Sequence, residues 1–135
     1  MFKAIRTAAD IAEFLDSTNG LHDGYIIGVQ YANNGITSVP HGHQFDFLKT
    51  RLTLRILVTS MNDTIVEMEF EGLWEWQIRD DQWDMILTTL MFDEKNRIIW
   101  SDDQYVNMAE LKRGSYAIAQ SMNWRFVELR LPLQD

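Results

Sequence analysis

The chain contains no cysteine, which excludes disulfide staples, thiolate metal sites and cysteine nucleophiles. It has only two prolines in 135 residues and no repeat, low-complexity segment or linker. Basic residues are scarce: 12 Lys and Arg stand against 20 Asp and Glu, a formal charge of −8. A phosphate-backbone binder draws its affinity from Lys and Arg, so nucleic acid is not an expected partner. Long apolar runs are missing as well. The longest mostly apolar stretch, Met85 to Phe92, is interrupted by Thr88 and Thr89. A helix that spans a bilayer needs about 20 apolar residues, so no membrane span is expected. The first residues, Met1 to Arg6 followed by Asp10 and Glu13, hold no apolar signal-peptide core and no small-residue cleavage site. Together with the missing cysteine, this points to the cytoplasm.

Catalytic signatures are absent too. There is no Walker A loop, G-x-G-x-x-G, G-x-S-x-G or H-E-x-x-H. The sequence therefore assigns no catalytic residue, no cofactor and no metal, and a non-enzymatic role is the expectation.

What is present reads as one α+β domain over residues 1–135, large enough to build its own core. Residues 7–16 predict a short helix. Thr7 stands as N-cap with Asp10 at the capping-box spacing, and Ile11, Phe14 and Leu15 share one helical face. Gly20 is placed to end it in a left-handed turn. Residues 22–131 read as β structure. Tyr25 to Ala32 is rich in β-formers, and Ile36 to Phe47 reads as a long loop or edge excursion. Arg51 to Thr59 alternates, with Leu52, Leu54, Ile56 and Val58 on one face and Arg51, Thr53 and Arg55 on the other. Thr64 to Ile78 alternates for fifteen residues, which puts Val66, Met68, Phe70, Trp74, Trp76 and Ile78 in the core and implies a bend at Gly72. Met85 to Phe92 and Arg97 to Trp100 predict a hairpin. Asn107 to Arg113 predicts a helical turn, and Ser115 to Ala119 and Asn123 to Leu131 predict two last strands. Short turns between sequential strands favour a mostly antiparallel, twisted or barrel-like sheet of six to eight strands.

The acidity is concentrated. Residues 61–110 carry thirteen acids against three bases, net −10, between flanks of net 0 and +2. Strand alternation sets Glu67, Glu69, Glu71 and Glu75 on one side of the long strand, followed by Asp80 and Asp81. Trp83, between acidic neighbours, is a candidate aromatic anchor. These seven residues form the candidate surface for a protein partner, a basic one by charge complementarity.

The three histidines supply a rival reading. His41-Gly42-His43 is an H-x-H pair that could share a metal on a strand, with His22 or Asp46 as a further ligand. That would make the chain a small-ligand or metal-binding domain or a hydrolase-like enzyme. The adjacent His22 and Asp23 also invite comparison with metal-dependent phosphohydrolases, but those sites lie in helical bundles. Here the pair precedes a strand, where it suits a turn. A third reading is a self-associating structural domain, in which an exposed sheet face or edge pairs with a second copy.

The order of features resembles a group of small uncharacterised bacterial proteins. The likeness runs from Leu21-His22-Asp23-Gly24 through Leu52 to Val58, Phe70-Glu71-Gly72, Ile98 to Asp103 and Asn123-Trp124-Arg125. Gly24 departs from it, standing where a small polar residue is expected. Some proteins of this size and acidity are immunity partners of bacterial toxins. By that analogy the chain would be an immunity-type inhibitor that covers a basic toxin, such as a nuclease, with its acidic sheet face.

Overall fold

The computed structural model describes residues 1–79, 84–85, 87–105 and 107–128. In chain order the elements are β1 (Lys3–Ala4), α1 (Ala8–Ser17), β2 (Gly24–Asn33), β3 (Ile36–Val39), β4 (Gly42–Phe45), β5 (Thr50–Val58), β6 (Thr64–Gln77), β7 (Thr89–Phe92), β8 (Ile98–Ser101), α2 (Met108–Leu111) and β9 (Tyr116–Val127). Seven strands form one antiparallel sheet in the order β2-β5-β6-β9-β8-β7, with β1 added beside β9. The strands β3 and β4 make a separate two-stranded arm. The α+β class and the antiparallel pairing thus follow the sequence pattern.

Capping chemistry sets where α1 begins. The Thr7 hydroxyl accepts from the Asp10 amide at 3.2 Å, and the Asp10 carboxylate accepts from the Thr7 amide at 2.9 Å. Two amide groups that no helical turn could satisfy are thereby paired. After the helix the chain reverses through positive φ at Asn19, Gly20 and Leu21 (53°, 62° and 56°) before β2 begins.

The helix packs on one face of the sheet. Leu52, Leu54, Ile56 and Val58 of β5 and Val66, Met68 and Phe70 of β6 are fully buried there. The register sets Leu52 opposite Phe70 and Leu54 opposite Met68. The third strand extends the same rows with Met122 and Trp124. Phe14 of α1 meets Trp124 edge-on, with centroids 5.3 Å apart. Full burial of each such side chain is worth roughly 1.5–3 kcal/mol, so these rows hold the helix to the sheet.

Two expectations need correction, and a third is narrowed. Trp74 is not in the core but 62% exposed. Gly72 adopts φ +68°, and the register of β6 against β9 slips between Leu73 and Glu75. Leu73, following the left-handed Gly72, points inward (7% exposed), Trp74 is the extra residue of the slip and points outward, and Trp76 is back on the core side. Second, the last two strands are one. Gln120 and Ser121 are polar and exposed, but they continue β9 opposite the same irregularity rather than breaking it. Third, of the loop and the edge excursion expected over 36–47, the structure shows the latter, a paired hairpin set off the main sheet and followed by a 3-10 turn.

At the end of the sheet beyond Gly72 both faces are covered. Ile99, Tyr116 and Ile118 form a second apolar cluster with Leu111 of α2. Among the described residues no element covers the opposite half of that face, over β2, β5, β6 and the end of β9.

Candidate functional site

The uncovered half-face is polar because strand alternation that sends leucines inward sends their neighbours outward. Three cross-strand rows follow from the register. One runs Gly28–Arg55–Glu67–Arg125, the next Gln30–Thr53–Glu69–Asn123, and the third Ala32–Arg51–Glu71–Ser121. Acid and base therefore alternate across the strands, three arginines among three glutamates.

Glu67 is the centre. Its side chain is only 5% exposed, although alternation puts it on the outer face. Arg55 Nε donates to Oε2 at 2.7 Å, and Arg125 donates to Oε1 from Nε at 3.1 Å and Nη2 at 2.9 Å. The Phe2 ring backs the Arg125 guanidinium at 4.3 Å. A carboxylate withdrawn from water needs such partners. Arg51 spans the other two rows, with Nη2 3.1 Å from Glu71 and Nε 3.6 Å from Glu69. Burial pushes the Glu69 carboxyl above its ordinary pKa, and the hydrogen bond that its protonated form donates to Glu71 adds to this while Arg51 opposes it. Together with Gly28, Gln30, Ala32 and Thr53, these groups, Glu71 apart, line an open groove of about 630 Å³.

The candidates named from sequence are thus divided. The structure brings Glu67, Glu69 and Glu71 together, but as partners of arginines. Glu75 stands apart beyond the register slip, 3.4 Å from Lys112 Nζ. Asp80, Asp81 and Trp83 lie outside the described residues. The missed residues are Arg51, Arg55, Arg125 and Phe2. The first two were legible, since a β5–β6 hairpin pairs them with Glu71 and Glu67. Arg125 was not, because nothing local announces that β9 lies beside β6.

The histidines occupy different places. His22 follows the left-handed turn, with Nδ1 3.7 Å from the Asp23 carboxylate. His41 sits in the turn of the β3–β4 arm, and His43 on β4 lies 3.3 Å from the Ser38 hydroxyl. Among the described residues no three His, Asp or Glu are grouped as metal ligands. No helix among them is long and apolar enough to cross a membrane.

A second exposed patch lies at the base of the arm. Trp74 meets Phe47 edge-on at 6.3 Å, and the Arg97 guanidinium covers its ring at 5.1 Å. Phe45, Leu48 and Ile36 nearby are more than half exposed.

No protein-family model, no curated protein and no solved structure matches this chain.

Proposed function

We propose that this is a non-enzymatic binding protein that recognises another protein through the polar face centred on Glu67. The observation that carries the reading is the groove over the Arg55–Glu67–Arg125 row. Its charged side chains are borne on strands and already held by one another, so they lose little freedom when a partner arrives. Such preorganised, mixed charge favours discrimination by pattern.

The sequence points to a basic partner, and the arrangement sharpens that expectation. The net charge of −8 draws basic proteins from a distance. At contact, three arginines stand among three glutamates, so the partner must present both signs. An immunity-type inhibitor seated on a basic toxin is the specific form of this proposal. Glu69 and Glu71 would meet the toxin's cations, and Arg51 and Arg55 the acids beside them.

The test is a charge swap. Arg51 and Glu71 are both well exposed, at 47% and 38%, so the pair Arg51→Glu with Glu71→Arg keeps the internal contact and inverts the pattern. The swapped protein is expected to keep its circular dichroism spectrum and melting temperature. It is also expected to lose at least about tenfold in affinity for the protein that wild type captures in its host. Equal affinity of both proteins for that partner, at low and high salt alike, would sink the reading.

A further inference from the structure

β2 closes one side of the sheet, paired with β5 along its inner edge. Its outer edge is bridged by Met85 at Gly24, and from Val29 to Asn33 no strand lies beside it among the described residues. Free edges in folded proteins are usually blunted by charge or proline. The ten residues Gly24–Asn33 carry neither, in a chain with a net charge of −8. What blunting there is comes from a bulge between Ile26 and Gly28, confined to the first half of the strand. Beyond it Gly28–Asn33 is regular. Val29 and Tyr31 point to the helix side of the sheet, yet are 47% and 44% exposed. The Tyr31 ring is held by stacking on Trp76, with centroids 5.4 Å apart.

We propose that this edge binds a second copy of the chain, β2 against β2 antiparallel, about a two-fold axis at Gln30. The unpaired backbone calls for an extended strand, and the side-chain pattern selects this one. A two-fold perpendicular to a sheet keeps each face continuous, so every residue must meet one that points to the same face. With the axis at Gln30, Val29 meets Tyr31 of the second copy twice over, an apolar pair on the helix side. On the polar side Gly28 meets Ala32, small against small. At the axis Gln30 meets Gln30, and two amides are mutually complementary as donor and acceptor. This register also leaves the bulge outside the paired segment. The cations nearest the seam, Arg55 beside Gly28 and Arg51 beside Ala32, would stand three strand spacings apart across it. That is about 14 Å, more than the screening length of roughly 8 Å at physiological salt, and each is already paired with a glutamate. The inference does not rest on the proposed binding function. Its consequence for that function is one polar face carrying two grooves.

The absence of cysteine makes the test clean. Two residues opposed across an antiparallel pair lie with Cα atoms about 5 Å apart, within disulfide range. Wild type is expected to sediment as a concentration-dependent dimer. Gln30→Cys is expected to crosslink on mild oxidation, while Ser38→Cys on the arm stays monomeric on a non-reducing gel. Val29→Lys with Tyr31→Lys sets like charges opposite one another and is expected to raise the dimer dissociation constant about 100-fold or more. Monomeric wild type at every concentration overturns the proposal, including the case where the edge instead takes up a strand from another protein. A dimer that survives the lysine pair also overturns it, as does a Gln30→Cys variant that dimerises without crosslinking. If the lysine variant does not fold, the cysteine result decides.

Discussion

Glu67 is the residue whose environment departs furthest from its pattern. Alternation assigns it to a solvated face, and pairing withdraws it from solvent. Both carboxylate oxygens are occupied by Arg55 and Arg125. An ion pair on a protein surface contributes little, about 0.5 kcal/mol, but removing one member of a buried pair strands the other's charge at a cost of about 3–5 kcal/mol. Here the stranded arginines are themselves 49% and 38% exposed, so water would relieve part of that cost. Glu67→Ala is therefore expected near the low end, about 3 kcal/mol. Glu71→Ala, in the same strand and exposed, is expected to cost about 0.5 kcal/mol. Urea unfolding at neutral pH measures both. Equal losses would mean that Glu67 is one more solvated glutamate, as its place in the sequence suggests.

The elements differ in how much of them the sequence discloses, and the reason is the range of the interaction that decides each. The start of α1 rests on Thr7 and Asp10, three residues apart, and is legible. So are the inward rows of β5 and β6, which period-two alternation writes directly into the sequence. The side taken by Trp74 is not, because it depends on the left-handed Gly72 and on the register slip between Leu73 and Glu75, which bring Leu73 inward and return the even positions to the core only at Trp76. The bend is legible; the direction of the residue after it is not. The unity of β9 is hidden for the same reason, since the exposed pair Gln120–Ser121 answers that irregularity from the neighbouring strand. The arginines of the polar face are half legible, Arg51 and Arg55 through a hairpin and Arg125 only through a pairing between distant segments. Gly72 thus lies behind two of the corrections, and its role is testable. A Cβ there would lie 2.8 Å from Gln120 Cγ, in a backbone conformation that L residues avoid. Gly72→Ala is expected to destabilise by about 1–3 kcal/mol, read as a lowered urea midpoint at unchanged m-value. A stability equal to wild type would show that β6 passes this point without needing glycine.

On the scale of the whole molecule, protection should follow from how many neighbours a strand has and how deeply it is buried. The long strands β5 and β6 are each flanked on both sides, and β9 is flanked by β6 on one side and by β8 and β1 on the other. Their inward rows make up most of the core. The β3–β4 arm has one pairing, and all its residues but Val39 are exposed. Opening it uncovers almost no apolar surface, so its hydrogen bonds have little burial to reinforce them. Amide exchange is expected to separate the two by orders of magnitude. The arm should exchange through local opening, while β5, β6 and β9 exchange only with global unfolding and therefore share one free energy. That central value should drop in Glu67→Ala by the same amount as the urea stability, because Glu67 joins the three strands through Arg55 and Arg125. The arm's rates should not move. Arm amides as slow as those of β6, or arm rates that follow the Glu67 substitution, would mean that the two sheets unfold as one unit and that the arm is built into the core.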